Sequence, residues 1–122
     1  MATPVGPYAP IVRAGSWLVC SGQLGLAPGP DGAPALVEGG PGPQLTRAVA
    51  NAAELLAGEG ASLVDVVKTT VFAIDSGDFG VVNDAYVAAF GGHRPARSMV
   101  AVSGLPMGAA VEIEVWALVD PG

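Results

Sequence analysis

The sequence predicts an α+β fold in which two helices cover one face of a sheet. Three observations carry that prediction. Residues 44–58 place Leu45, Ala48, Val49, Ala52, Leu55 and Leu56 at helical spacing. A second stretch, 78–90, does the same with Phe79, Val82, Tyr86, Ala89 and Phe90. The run 111–119 alternates strictly, with Val111, Ile113, Val115, Ala117 and Val119 on one face and Glu112, Glu114, Trp116 and Leu118 on the other. Two helices cover one side of a sheet and leave the second side to something else.

Taken in order, 17–21 (Trp-Leu-Val-Cys-Ser) reads as a strand. A Gly/Pro-rich excursion from 25 to 43 follows, with room for a short strand at 35–38. Pro43 suits the first position of the helix after it, and Gly58 or Gly60 ends that helix. Residues 64–74 are β-branched and apolar on both faces apart from Asp65 and Lys68, which predicts a central strand buried on two sides. Ser76 or Asp78 is placed to cap the second helix, and Gly91-Gly92 to end it. Strands at 97–102 and 111–119, separated by a turn at Leu105-Pro106, complete the order β-(β)-α-β-α-β-β.

A chain of 122 residues is read as one domain, 1–122. Its composition is 51% hydrophobic and only 13% charged, more apolar surface than a lone small domain can hide, so self-association is expected. The face carrying Glu112, Glu114, Trp116 and Leu118 is the natural place for a second copy or a pocket. Net charge is -6, and the five cations (Arg13, Arg47, Lys68, Arg94, Arg97) are scattered, which argues against nucleic acid as a partner. Cys20, the one cysteine, forms no internal disulfide and fits a cytoplasmic location. The first residues lack a signal-peptide pattern, and no apolar run approaches the roughly 18 residues of a membrane span.

Chemistry-bearing residues are few. Arg97 offers a planar fork to a carboxylate, although local sequence alone favours a structural arginine paired with Glu112 or Glu114. Each of those glutamates is equally readable as a group that orients water or as half of an interface salt bridge. Tyr8, after Gly6-Pro7, either reaches a neighbouring pocket or anchors the N-terminal arm. Ser21-Gly22-Gln23 is a turn that can bring backbone N–H groups to an anion. Asn83, Gln44 and Asn51 read as solvated or capping groups, Lys68 as a snorkelling or acid-paired lysine, and His93 as a surface residue. With one histidine and one cysteine, no phosphate loop and no nucleophilic triad, any chemistry is expected to need neither metal nor cofactor.

These residues, in this order, resemble a known family. Gly6-Pro7-Tyr8, Ser21-Gly22-Gln23, 66–72 (Val-Val-Lys-Thr-Thr-Val-Phe), Asn83 with Tyr86 and Phe90, 95–98 (Pro-Ala-Arg-Ser), Leu105-Pro106 and 111–114 (Val-Glu-Ile-Glu) are similar to the Rid proteins. Those are the reactive intermediate deaminases, also called YjgF-like or L-PSP-like. The resemblance implies a chorismate-mutase-like mixed sheet with two helices on one face, assembled as a homotrimer with a cleft at each subunit boundary. It implies hydrolytic deamination of reactive 2-imino and enamine acids to 2-keto acids plus ammonia. Carried over residue by residue, Arg97 binds the substrate carboxylate, Glu112 positions the attacking water, and Tyr8, Ser21, Gly22 and Asn83 line or support the cleft. The chain departs from the family pattern at Ala9-Pro10, at Met99, where many members have cysteine, and in the loop 91–94. Those departures bear on substrate range. A trimer that binds small carboxylates without turning them over is the alternative, and a ribonuclease suits so acidic a chain poorly.

Overall fold

The structure is a computed structural model that describes residues 6–120. Its first hairpin joins β1 (Ile11–Ala14) to β2 (Trp17–Cys20) through Gly15, whose φ of 59° favours glycine. Then come β3 (Gln23–Leu24) and a small separate ribbon of β4 (Leu26–Pro28) and β5 (Pro34–Leu36). Helix α1 (Pro41–Ala57) leads to β6 (Val66–Ala73), helix α2 (Phe79–Phe90), β7 (Ala96–Ala101) and β8 (Val111–Leu118).

The main sheet runs β1-β2-β8-β6-β7, with β3 also on β8. Its pairs are antiparallel except β6 with β7, whose parallel pairing is bridged by α2 as a crossover helix. The predicted α+β class, with a mixed sheet and two helices, is the one observed. Alternation in β8 holds residue by residue: Val111, Ile113, Val115 and Ala117 are buried, while Glu112 and Glu114 are half-buried and Trp116 and Leu118 exposed. The buried set packs with Leu18, Leu45, Val49, Leu56, Val71, Val82 and Tyr86 in one core between sheet and helices.

Several expectations need correction. Strand β1 has no counterpart in the sequence reading. Helix α1 starts at Pro41, so Pro43 sits inside the first turn, where its missing N–H costs nothing. Neither Ser76 nor Asp78 caps α2 through its side chain; Asp75 Oδ1 instead accepts from the Gly77 N–H (2.8 Å) in the short 3₁₀ turn before it. Strand β6 is central in its pairing but is covered on one face only, with Thr69, Val71 and Ala73 buried and Thr70 and Phe72 half-open. A register shift between Val66 and Lys68 leaves Val67 exposed. Gln44 and Asn51 are buried rather than solvated: Gln44 Oε1 accepts from the Ala110 N–H (2.9 Å), and Asn51 Nδ2 donates to the Leu24 and Leu26 carbonyls (3.1 and 2.9 Å). Asn51 satisfies carbonyls that the short β3 and β4 strands leave without ladder partners, and Gln44 satisfies the N–H just before β8.

The uncovered face of the sheet carries an exposed apolar patch beside its charged and polar residues. Trp17 and Trp116 meet edge to face at 6.0 Å between centroids while remaining 38% and 42% exposed, and Val12, Val100 and Leu118 are exposed as well.

Candidate active site

Register fixes which face each candidate side chain occupies, because directly paired residues in neighbouring strands point the same way. Arg97 pairs with Thr69, and Thr69 with Val115. Thr69 and Val115 are fully buried under the helices, so Arg97 projects on the helix side of the edge strand β7. Glu112 pairs with Phe72, and Phe72 with Val100, on the uncovered face. The arginine and the glutamate of the sequence reading thus lie on opposite faces of one sheet. No Arg97–Glu112 or Arg97–Glu114 ion pair forms in the described residues.

Two groups of residues result. On the uncovered face, the Glu112 carboxyl lies against the Gly22 backbone: a β-carbon added at Gly22 would come within 2.7 Å of the carboxyl carbon. A side chain at position 22 would have to push that carboxyl aside. Next to Gly22, Ser21 Oγ donates to the Ala9 carbonyl (2.6 Å) and the Ser21 N–H to the Pro10 carbonyl (2.9 Å), so Ser21 fastens the arm that carries Tyr8. Tyr8 is exposed. Burial, and secondarily the charge of Glu114, pushes the Glu112 carboxyl above the usual carboxylate range. A base poised closer to neutrality is what proton abstraction from water asks for.

On the helix side, the Arg97 guanidinium sits over the Tyr86 ring, 4.8 Å from Cζ to centroid. Arg97 is exposed and makes no hydrogen bond or ion pair among the described residues, so its donors are free for a ligand. Asn83 lies one turn before Tyr86 on α2, and its Oδ1 is buried without a hydrogen-bond partner. An orphaned buried acceptor is costly in a finished fold and ordinary in a site awaiting a donor.

The other candidates resolve as structural. Lys68 Nζ donates to Ser98 Oγ (2.8 Å) rather than to an acid. His93 is not a plain surface residue: it is partly buried, and its Nε2 donates to the Val66 carbonyl (2.7 Å). Burial pushes the Cys20 thiol up to about 11, which removes it as a nucleophile. The described residues contain no cluster of three or more His, Cys, Asp or Glu side chains that could hold a metal ion. A hollow of about 710 Å³ on α1, lined by Val37, Gly42, Pro43, Thr46, Arg47 and Ala50, includes none of the candidates. Sequence reasoning gave no role to Tyr86, although its spacing from Phe90 marked it as an inward-facing ring.

Residues 1–119 match the family described as Endoribonuclease L-PSP. The chain belongs to that family. It is 40% identical over 117 residues to a mouse protein named 2-iminobutanoate/2-iminopropanoate deaminase, covering 96% of this chain and 84% of the mouse protein. The human protein of the same name is 37% identical over 117 residues, covering 96% and 83%. Among solved structures, RidA from an Antarctic Psychrobacter superposes with a TM-score of 0.87 at 37% identity, covering 96% of this chain and 92% of that one. Escherichia coli TdcF with bound serine superposes with a TM-score of 0.83 at 33% identity, covering 96% and 91%. Names differ across the L-PSP family, so membership carries the fold, and the chemistry is argued from the site. No helix among the described residues is long and apolar enough to cross a membrane.

Proposed function

We propose that the protein hydrolyses 2-imino acids, and the enamines in equilibrium with them, to 2-keto acids and ammonia, in clefts that a second copy of the chain completes. The observation that carries this reading is the placement of Arg97 and Glu112 on opposite faces of the sheet. One small substrate cannot touch both within a protomer. A contact that sets the uncovered face of one copy against the β7 edge of the next joins two different patches, and heterologous contacts of that kind close into rings. Three copies is the closure that the family resemblance implies. Such packing would also cover Trp17, Trp116 and Leu118, which a lone protomer leaves in water.

The chemistry follows from the two half-sites. Arg97 holds the substrate carboxylate through charge-assisted N–H donors. Glu112 of the adjoining copy accepts a proton from a water whose oxygen attacks C2, giving a tetrahedral carbinolamine. That proton passes to the imine nitrogen and completes the neutral carbinolamine; its C2 hydroxyl then gives up its own proton, relayed by Glu112 to the amine, so that the C–N bond breaks with ammonia leaving while the oxygen electrons form the keto C=O. No electrons are transferred, and the residues supply orientation and electrostatics. Relatives named as iminobutanoate/iminopropanoate deaminases support this substrate class. A reducing cytoplasm is consistent with the single free thiol.

Ammonia release from freshly generated 2-iminopropanoate is the test. The deaminase reading expects release well above the spontaneous rate. Tight binding of pyruvate without any acceleration would instead hand the case to a carboxylate-binding module, which needs Arg97 but not Glu112.

A further inference from the structure

Arg97 differs from the chain's other cations in what holds it. Arg13 is tied to Glu59, Arg47 to the Leu26 carbonyl, Lys68 to Ser98 and Arg94 to the carbonyls of its own loop. Each of those ties consumes an N–H. Arg97 is held by an aromatic ring, at a distance well inside the roughly 6 Å over which a ring face attracts a cation. That support leaves every donor of the fork available, whereas a carboxylate partner would compete with an anionic substrate for the same N–H groups.

The ring is itself pinned. Tyr86 is 4% exposed, and its hydroxyl shares a 2.8 Å hydrogen bond with Thr69 Oγ1, each group satisfying the other inside the core. Phe90 packs against it at 4.6 Å between centroids. Thr69 is also the residue paired with Arg97 in the β6–β7 ladder. The strand pairing that sets the arginine backbone and the hydroxyl pair that sets the ring are therefore anchored at one residue.

We propose that Tyr86, locked by Thr69, is the positioning residue for Arg97: it holds the guanidinium by its π face so that the fork meets the substrate carboxylate pre-aligned. This rests on the reading of Arg97 as the carboxylate binder. Tyr86 touches no substrate and acts on KM and on carboxylate affinity, leaving kcat nearly unchanged.

Calorimetric titration of the assembled protein with pyruvate, paired with steady-state hydrolysis of 2-iminopropanoate, tests it. Tyr86→Leu should weaken pyruvate binding and raise KM by roughly three- to tenfold, the range expected for losing a partly desolvated cation–ring contact. Tyr86→Phe, which keeps the ring, should recover most of that loss. In an Arg97→Lys background, where the planar fork is gone, Tyr86→Leu should cost less than about twofold, the signature of coupling. Should Tyr86→Leu fail to fold, phenylalanines with progressively fluorinated rings at position 86 keep the shape and drain the negative face, and affinity should fall stepwise with fluorination. An equal penalty in both arginine and lysine backgrounds, a flat fluorination series, or an effect on kcat alone would overturn the proposal. An inactive wild type that still shows the coupling would remove the deaminase reading and leave the positioning role standing.

Discussion

The two faces of the main sheet are built from the same strands and have opposite fates. On the helix side, Leu18, Val66, Val71, Val111, Ile113, Val115 and Ala117 are fully buried, and the core closes within the protomer. On the other side the alternate residues of those strands, Trp17, Val67, Trp116 and Leu118, stay exposed, with the half-buried Glu112 and Glu114 between them. The first face stabilises the chain, and the second is the one that the proposed assembly would cover. Arg97 and Glu112 are split between them, so under the proposed deaminase reading assembly has to finish the site that folding begins.

Substitutions on the two faces should separate those roles. The largest effect belongs to Glu112→Gln, which keeps shape and removes the carboxylate proposed as the base. It should slow 2-iminopropanoate hydrolysis by about 10²–10⁴-fold while the assembly and pyruvate binding persist. Next comes a pair three residues apart on β8. Ile113→Ala, in the closed core, should cost about 2–5 kcal/mol in denaturant unfolding. Trp116→Glu, on the open face, should leave the protomer folded by circular dichroism and shift light scattering toward the monomer. If the tryptophan change unfolded the chain instead, the open face would belong to the protomer's own stability.

A smaller loss is expected for Arg97→Lys, roughly 1.5–3 kcal/mol in kcat/KM, because a point charge replaces the fork that a carboxylate grips. Smallest is Glu114→Gln. Burial and then the Glu114 charge both raise the Glu112 carboxyl, so removing that charge lets Glu112 ionise at lower pH. The acidic limb of kcat/KM, which reports the free enzyme, should move toward lower pH with little change in the plateau. A limb that moves upward or stays fixed would mean that Glu112 is not the titrating base.

Much of this was legible in the sequence because a buried face imposes a period. The alternation at 111–119 and the spacings around Leu45–Leu56 and Val82–Phe90 are direct records of one-sided burial. What escaped had no such record. Strand β1 is an exposed edge whose short Ile-Val-Arg-Ala run pairs because β2 is beside it. The start of α1 carries no Ser, Thr, Asp or Asn cap to announce it, only Gly40 before Pro41. Gln44 and Asn51 were misplaced because the backbone carbonyls and N–H that bury them come from distant segments. At the candidate site, motif order singles out Arg97, Glu112 and Gly22, but parity along one strand says nothing about parity along another. That Arg97 and Glu112 face apart depends on the β6–β7 and β6–β8 registers, which exist only once the sheet has formed.

The most direct test of the shared cleft is subunit mixing. Arg97→Ala and Glu112→Gln proteins, each inactive alone, are unfolded together, refolded at equal ratio and assayed for ammonia release from 2-iminopropanoate. If each cleft takes Arg97 from one copy and Glu112 from the next, about a quarter of the clefts in a randomly mixed ring regain both groups, and activity returns to about that fraction of wild type. If one chain supplies both residues, every cleft in the mixture lacks one of them, and an inactive mixture of demonstrably mixed trimers would contradict the account.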